Sequence, residues 1–434
     1  MTKKKAYKII AFLYPVLSYF KINLVGQLAA GDLIALLSFF DFKETKKLFA
    51  HVPDIKKISI AYSAFLLAQV ISDLVNHSAF KDMLRGWANI GMAVLTTVFF
   101  INLFKKSPKY IIFFLLGFAF RYVILGGSSG KEYSTDTLFT LDNMGVFKFR
   151  IAPILNVLLL VLSWYLLQRS AGQYNNIIAL FGLYGLFCLA MDFRSNGIFF
   201  IMSAFIAYYR QYIRSISFKK LIPYLLIFIL AFQGMYMLYI SKALQGEIGG
   251  KHTLEQLKMT NNPYNPINLL LVGRTEFFVG LKAALDKPIL GHGSWARDIN
   301  GYYTYMAFKL HGEEDKFSSL LISRNGQLII PAHSIIAGAW MNAGIVGLFS
   351  MLYIFGLFVD RSLRLLRNKY VQRTAYYPIL VFYLFNGVWV FFFSPLPEVK
   401  STLAVIIAFM IATYQAAPKV EVTEDSEARQ TVLV

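Results

Sequence analysis

Cysteine is almost absent from this sequence: 434 residues include a single one, Cys188, inside an apolar run. A disulfide needs two cysteines and a thiolate metal site needs several, so neither feature is expected. Charged residues are scarce as well, at 15% of the chain against about 25% in soluble globular proteins. The sequence therefore excludes a soluble globular enzyme.

Acidic residues are the rarer charged type, with 24 Asp and Glu against 43 Lys and Arg. A divalent cation that holds a nucleotide or lipid phosphate needs spaced carboxylates, and no spaced pair of aspartates occurs. The run Glu313-Glu314-Asp315 could bind a cation, but such a run is more often a solvated surface, and the loop histidines His292 and His311 are more often structural. Neither a phosphate-binding glycine loop nor a Ser/His/Asp set is present. We therefore expect no metal ion and no cofactor.

Apolar residues, by contrast, make up 57% of the chain, and aromatic residues 16%. Long apolar stretches recur from end to end, and in lipid they must be helical because every backbone polar group needs an internal partner. The net charge of +19 could also indicate nucleic-acid binding. However, the basic residues lie mostly in short loops between apolar segments, as in proteins that follow the positive-inside rule. The sequence thus predicts an all-α polytopic membrane protein that binds no nucleic acid.

Apolar runs of spanning length predict about twelve transmembrane helices. The first run follows Lys3, Lys4 and Lys5 and has no small-residue cleavage site, so we interpret it as an uncleaved span. The first two spans are the least regular because Lys21 and Asn23 interrupt them. The predicted spans are 7–23, 24–41, 58–75, 84–104, 108–126, 149–168, 174–191, 195–212, 221–241, 331–359, 375–393 and 399–415.

Basic residues predict the orientation of these spans. They fill the second, fourth, eighth and tenth connections, which share one side of the membrane, so that side and both chain termini should be cytoplasmic. The basic residues are Lys43, Lys46, Lys47, Lys56 and Lys57, then Lys105, Lys106 and Lys109, then Arg210, Arg214, Lys219 and Lys220, and lastly Arg361, Arg364, Arg367, Lys369 and Arg373.

The remaining connections then face the periplasm, and one of them is long enough to form a subdomain outside the membrane. Within it, 268–285 has helical apolar spacing and is predicted to lie along the membrane surface or dip into it. A smaller external loop is predicted at 127–148. The predicted domains are a bundle of nine spans (1–241), the large periplasmic loop (242–330), the last three spans (331–416) and a disordered cytoplasmic tail (417–434).

Three residues on the predicted external side could contribute to chemistry. His333 begins the apolar run 331–358, where an imidazole near water can act as a general base or can merely make hydrogen bonds at a helix end. Arg194 lies at the rim of a span, where a charge is either functional, or reaches the interface, or pairs with Asp192. Arg274 could simply be solvated. Two arginines together nevertheless suit a diphosphate, because guanidinium groups bind phosphate oxygens in bidentate fashion.

The segment around the histidine, PAHSIIAGAWMNAGIVG, resembles the signature of the bacterial O-antigen ligase and O-antigen polymerase superfamily: His, a small polar residue, nine residues, Gly, two residues, Gly. Upstream, GRTEFFVGLKAALDKPILGHGSW resembles that family's arginine-bearing external helix and the turn after it, and FRSNGIFFIMSAFIAYY is similar to its Arg-Ser/Gly segment that opens a span. The matching residues are His333, Ser334, Gly344 and Gly347, and upstream Pro288, Gly291 and Gly293. The sequence departs from the family at two positions, with Ser334 where asparagine is commonest and His292 where a small apolar residue is usual.

The resemblance implies glycan transfer at the periplasmic face of the bacterial inner membrane. The donor would be an oligosaccharide on undecaprenyl diphosphate. His333 would deprotonate or orient the acceptor hydroxyl, which attacks the anomeric carbon with inversion, while Arg194 and Arg274 would hold the diphosphate and stabilise its growing charge. Diphosphate is a good leaving group, so the reaction requires no metal ion.

Several functions remain open at this point. A polymerase, which we favour, transfers to another lipid-linked repeat unit and can work with a chain-length regulator. A ligase transfers to the lipid A core, and a third variant transfers to protein hydroxyls. A flippase or exporter of lipid-linked polysaccharide would instead have two related halves and charges in the middle of its spans, and neither feature is evident.

Overall fold

The computed structural model describes most of the chain. Several predictions concern residues outside the described part: the 221–241 span and the 127–148 loop for the most part, the 268–285 helix at residues 269–272, and Asp192, Lys219, Lys220 and His311 entirely. The same holds for the tail beyond residue 418. The described residues are 2–23, 27–126, 147–170, 173–191, 193–215, 236–247, 262–266, 273–310, 313–323 and 328–418, with a few isolated positions between 223 and 268.

Nearly all described elements are α-helices. Other elements are a hairpin of strands β1 (Lys21–Asn23) and β2 (Gln27–Ala29), a π-helical turn (Phe147–Ile151) and a 3₁₀ helix (Leu396–Lys400). The helices are α1 (Lys3–Leu17), α2 (Ala30–Phe39), α3 (Phe42–His51), α4 (Pro53–Val75), α5 (Phe80–Lys106), α6 (Tyr110–Leu125), α7 (Ala152–Arg169), α8 (Tyr174–Ala190), α9 (Arg194–Tyr208), α10 (Arg210–Ser215), α11 (Thr275–Asp286), α12 (Tyr302–Leu310), α13 (Glu314–Ser323), α14 (Ile335–Arg367), α15 (Lys369–Gln372), α16 (Tyr377–Phe393) and α17 (Thr402–Ala416). Residues 236–244 are helical as well.

Within the described part, five segments are long and apolar enough to cross a bilayer: α4, α5, α7, α14 and the 3₁₀ helix with α17. The shorter helices α2, α6, α8 and α16 are also apolar. Such helices are stable in lipid because all their backbone hydrogen bonds are internal. Apart from the short hairpin, the described chain is thus an all-α membrane protein, as its composition predicts.

The first two predicted spans, 7–23 and 24–41, differ most from the structure. Helix α1 ends at Leu17 and α2 begins at Ala30, and the hairpin between them pairs Lys21 with Ala29 in antiparallel register. Where polar residues interrupt the apolar run, the backbone groups pair between strands instead of within a helix, which satisfies them equally well.

One end of the bundle collects the basic connections. Arg361 of α14 donates two hydrogen bonds to Asp54 at the start of α4, at 2.7 and 2.8 Å. Gln372, before α16, donates to the backbone oxygen of Arg210, after α9, at 2.7 Å, and α3 lines a cleft together with the last turn of α5. The described parts of the second, fourth, eighth and tenth connections therefore lie together, and we call this the basic end.

The opposite end is where α16 finishes. Because α9 ends beside the start of α16, the two helices are antiparallel, and the ring of Phe199 near the start of α9 lies 5.6 Å from that of Trp389 near the end of α16. Ser334, just before α14, donates to the backbone oxygen of Phe391 at 3.4 Å. The N-terminal ends of α9 and α14 and the C-terminal end of α16 therefore meet here.

The described part of the large loop packs onto this same end. Asp73 of α4 is fully buried and accepts hydrogen bonds from the backbone nitrogen and hydroxyl of Ser294, both at 2.6 Å, and from the indole of Trp87 at 2.8 Å. Arg297 donates to Asp82 of α5 at 2.9 and 3.1 Å. These polar contacts attach the loop to α4 and α5, and we call this the loop end.

Candidate functional site

Helix α14 is broken near its start, within the family-like signature. Ala343 (φ −128°, ψ 18°) and Gly344 (φ 62°, ψ −155°) have non-helical backbone angles. A β-carbon at Gly344 would overlap the backbone oxygen of Ile289 and lie 2.7 Å from the nitrogen of Leu290. Glycine is therefore required here both for its positive φ and for the close approach of a second backbone.

The break is occupied by the turn at 288–293, which we call the glycine turn. The nitrogens of His292 and Gly293 donate to the oxygens of Met341 and Asn342, at 2.7 and 3.1 Å, and the oxygen of Ile289 accepts from the nitrogen of Ile345 at 3.3 Å. Interrupting the helix frees these backbone groups, and the turn satisfies them. Two blocks of sequence that resemble one family signature thus form a single packed junction.

Further glycines in this junction are equally constrained. Gly291 and Gly293 have positive φ values of 76° and 86°, and a β-carbon at Gly291 would lie 2.7 Å from the nitrogen of Gly344. A β-carbon at Gly347 would lie 3.0 Å from the carbonyl carbon of Ala339. Gly291 is therefore limited by the contact between the turn and the broken helix. Gly293 is limited by α4, since a β-carbon there would lie 2.8 Å from Oδ1 of Asp73, and Gly347 by its own helix across the break.

We expect Gly344→Ala to lower the melting temperature of the purified protein by several degrees, because positive φ in a non-glycine residue costs about 1–3 kcal/mol and the clash with Ile289 adds to it. Gly356→Ala is the matched control, since nothing lies within 4 Å of a β-carbon there in the same helix. Thermal unfolding in detergent measures the difference. Equal melting temperatures for the two variants would show that the break is not strained.

Ser334 is the N-cap of α14. Its hydroxyl accepts from the nitrogen of Ala337 at 3.1 Å, and the residue is fully buried. Serine and asparagine are both strong N-cap residues, which explains physically why either fits this position. The helix begins at Ile335, so the predicted start of the span at residue 331 is four residues early, and His333 lies in the extended segment before the helix.

The imidazole of His333 faces a carboxylate of α11. Its Nδ1 lies 3.9 Å from Oε2 of Glu276, and the two side chains are 28% and 29% exposed. Glu276 is in the first turn of α11. His333 is therefore partly shielded, with one ring nitrogen directed to an acid and the rest of the ring near the surface.

Arg274 immediately precedes α11 and stacks on the end of α16. Its guanidinium carbon lies 4.6 Å from the ring centre of Trp389 and 5.8 Å from that of Phe393. Burial lowers the pKa of the Arg274 guanidinium from its ordinary value, and the Glu276 carboxylate opposes this shift. The group stays protonated, since arginine does not lose its proton in proteins, and stacking against an aromatic face fixes its plane.

Arg194 is the first residue of α9, and its guanidinium lies 5.6 Å from the ring centre of Tyr239. Phe199, five residues later, contacts Trp389, the same ring that stacks with Arg274. Five helical residues correspond to about 7.5 Å along the axis. The structure thus brings Arg194, Arg274 and His333 to one end of the bundle, around the last turns of α16.

The weaker candidates have structural contacts. Nε2 of His292 lies 2.8 Å from the backbone oxygen of Ala283, its ring packs edge-on against Tyr303, and burial lowers its pKa. A neutral His292 that donates this hydrogen bond therefore holds the glycine turn against α11. Glu313 pairs with Lys316 at 2.7 Å. Among the described residues, no group of three His, Cys, Asp or Glu could hold a metal ion.

Sequence reasoning gave no role to Glu276 and Trp389, which lie beside His333 and Arg274. Glu276 follows Arg274 by two positions, but helical spacing alone does not indicate which charged residue of α11 faces His333. Trp389 lies in an apolar span in which an aromatic residue has no special signal. No protein-family model and no curated protein matches this chain, so function is inferred from the residues and their geometry.

Proposed function

We propose that the protein is an inner-membrane glycosyltransferase that moves a glycan from undecaprenyl diphosphate to an acceptor hydroxyl at the periplasmic face. One observation supports this function above the others. Three helices, α9, α11 and α14, begin beside the last turns of α16. Arg194 is the first residue of α9, Arg274 immediately precedes α11, and His333 lies two residues before α14.

This arrangement suits a lipid diphosphate. The start of a helix carries a partial positive charge that favours a nearby anion, and here three helix starts lie at the same end of the bundle. Arg274 presents a fixed planar cation that can bind two phosphate oxygens, and Arg194 adds a second positive charge. A polyprenyl chain would remain in the lipid while its diphosphate reaches this polar end of the bundle.

The proposed reaction needs a base and an anion-binding site but no covalent intermediate. The acceptor oxygen bonds to the anomeric carbon as its proton passes to His333. The bond between that carbon and the diphosphate oxygen breaks, and its electron pair leaves with the diphosphate. The two arginines stabilise the charge that forms, and the acceptor's approach opposite the diphosphate inverts the configuration.

The basic end supports a periplasmic site. Positive residues concentrate on the cytoplasmic side of membrane proteins, and the candidate site is at the opposite end of the bundle. We therefore propose about twelve spans with both termini in the cytoplasm and the 242–330 loop in the periplasm.

Among the acceptors, we propose a lipid-linked repeat unit, which makes the protein an O-antigen or surface-polysaccharide polymerase. The test is a gel of lipopolysaccharide from cells that lack the gene. Loss of the ladder with one repeat still on the core would support a polymerase. Loss of every repeat would indicate a ligase that transfers to the lipid A core, and an unchanged pattern would redirect the search to capsule or exopolysaccharide.

Labelling of single cysteines tests the orientation. In a Cys188→Ser background, Ile299→Cys, at a position 87% exposed in the loop, is expected to react with a membrane-impermeant maleimide on cells with a permeabilised outer membrane. Lys369→Cys at the basic end is the control and should react only after the inner membrane is lysed. The reverse pattern would overturn the proposed orientation.

A further inference from the structure

We infer that Glu276 positions His333 and stabilises the imidazolium that forms when His333 accepts the acceptor's proton. The inference rests on the proposed transferase function and adds a residue to its machinery. Its basis is the approach of Oε2 of Glu276 to Nδ1 of His333, at 3.9 Å, between two helix starts that are far apart in sequence.

The geometry assigns different tasks to the two ring nitrogens. Nδ1 faces Glu276, so a proton on Nδ1 points to the carboxylate, and Nε2 keeps its lone pair for the acceptor hydroxyl. At 3.9 Å the pair is slightly longer than a hydrogen bond. Catalytic hydrogen bonds are often long without substrate and shorten in the reactive complex.

Partial burial makes this pair stronger than a surface ion pair. About seven-tenths of each side chain is shielded, with exposures of 28% for His333 and 29% for Glu276, so water screens the interaction only in part. The carboxylate can therefore attract a proton on Nδ1 and hold the ring in one orientation.

The other charged groups near this junction have their own partners. Arg274 stacks on Trp389 and also feels the Glu276 carboxylate. In the 3₁₀ helix, Glu398 accepts from Ser401 and Thr402, and Lys400 donates to Asp32. Helix α16 and the segment 331–345 contain no charged residue. Glu276 is thus the acid closest to His333 in the described part of the chain.

In the proposed reaction, Glu276 exchanges no proton. The acceptor's proton moves to Nε2 of His333, the acceptor oxygen bonds to the anomeric carbon, and the diphosphate leaves with the electron pair of the broken bond. A positive imidazolium then lies beside a negative carboxylate, which lowers the barrier to proton transfer. Glu276 acts through His333 and is a positioning residue that does not touch the substrate.

Nuclear magnetic resonance can test the coupling without substrate. In detergent-solubilised full-length protein with ¹³C-labelled histidine, the His333 signal is the one that disappears in His333→Ala. At one fixed pH, the chemical shifts of the His333 ring carbons, which report which ring nitrogen carries the proton, should change in Glu276→Gln and should recover in Glu276→Asp. Asp286→Asn is the matched control: it neutralises another acid of α11, which pairs with Lys282, and should leave these shifts unchanged.

A kinetic measurement tests how Glu276 affects the rate of transfer. The lipid-linked oligosaccharide fraction extracted from the deletion strain serves as both donor and acceptor. Glu276→Gln should lower the maximal rate roughly 10-fold, part of the 10²–10⁴-fold that a base contributes, and Glu276→Asp should restore most of it. The apparent KM for the donor should not rise, since both arginines remain. A higher KM with an unchanged maximal rate would mean that Glu276 only supports Arg274, and would overturn the inference.

The two proposals fail in different ways. Unchanged ring-carbon shifts and an unchanged maximal rate in Glu276→Gln, with wild-type transfer intact, overturn the positioning role alone. If the wild-type protein transfers to no glycan acceptor, the proposed function is overturned. The positioning role of Glu276 is then overturned as well, because it rests on that function. Melting curves for each variant identify a loss of activity that is due to unfolding.

Discussion

A His333→Ala variant is expected to insert into the membrane normally and to lose glycan transfer by roughly 10²–10⁴-fold, the range that a positioned general base contributes. Diphosphate departs readily, so the step that most needs help is removal of the acceptor's proton. His333 lies outside the helix, in the extended segment before α14. Its removal should therefore disturb the fold little.

The measurement is complementation of the deletion strain, scored as the return of the polysaccharide ladder on a gel. His51→Ala is the matched control, because His51 is an exposed histidine at the basic end. It should restore the ladder fully. A ladder of wild-type intensity with His333→Ala, at equal protein level in the membrane, would exclude the role as a base.

An Arg274→Lys variant is expected to reduce transfer roughly 10²-fold although it preserves the positive charge. The guanidinium lies over the ring of Trp389 and next to Phe393, and these contacts limit the directions in which its fork can point. An ammonium group is a point charge on a flexible stem, so it can neither stack in this way nor bind two phosphate oxygens at once. Because the diphosphate gains charge as it leaves, the loss should affect kcat as well as kcat/KM.

Initial rates with extracted lipid-linked oligosaccharide measure this effect. Arg364→Lys is the matched control, since Arg364 is 61% exposed and pairs with Asp360 at the basic end. It should leave the rate within about twofold, as surface ion pairs contribute little. Full activity of Arg274→Lys would argue against a bidentate contact with the diphosphate.

Much of the fold follows from the length of the apolar runs in the sequence. The predicted spans 58–75 and 84–104 lie within the observed helices Pro53–Val75 and Phe80–Lys106, and 375–393 nearly coincides with Tyr377–Phe393. Lipid requires internal backbone hydrogen bonding, so a long apolar run has few alternatives to a helix. The rule is weakest where runs are short and polar residues interrupt them, and there the chain forms the hairpin of residues 21–29.

The sequence predicted only part of the candidate site. The motif indicated His333 and its glycines because they stand close together in the sequence, and Arg274 was noted for its charge. Nothing local indicated that Glu276 faces His333 or that Arg274 stacks on Trp389. These pairs are separated by more than 50 positions, and hydrophobic periodicity carries information only over a few turns.

The sequence by itself determined that this is a helical membrane protein, that long uninterrupted apolar runs become helices and where positive charge concentrates, because these depend on composition and local hydrogen bonding. The tertiary structure decided that Gly344 breaks α14, that the glycine turn fills the break, and that three helix starts meet at the end of α16. Such contacts depend on how segments that are distant in the sequence approach one another. That arrangement is visible only in the folded structure.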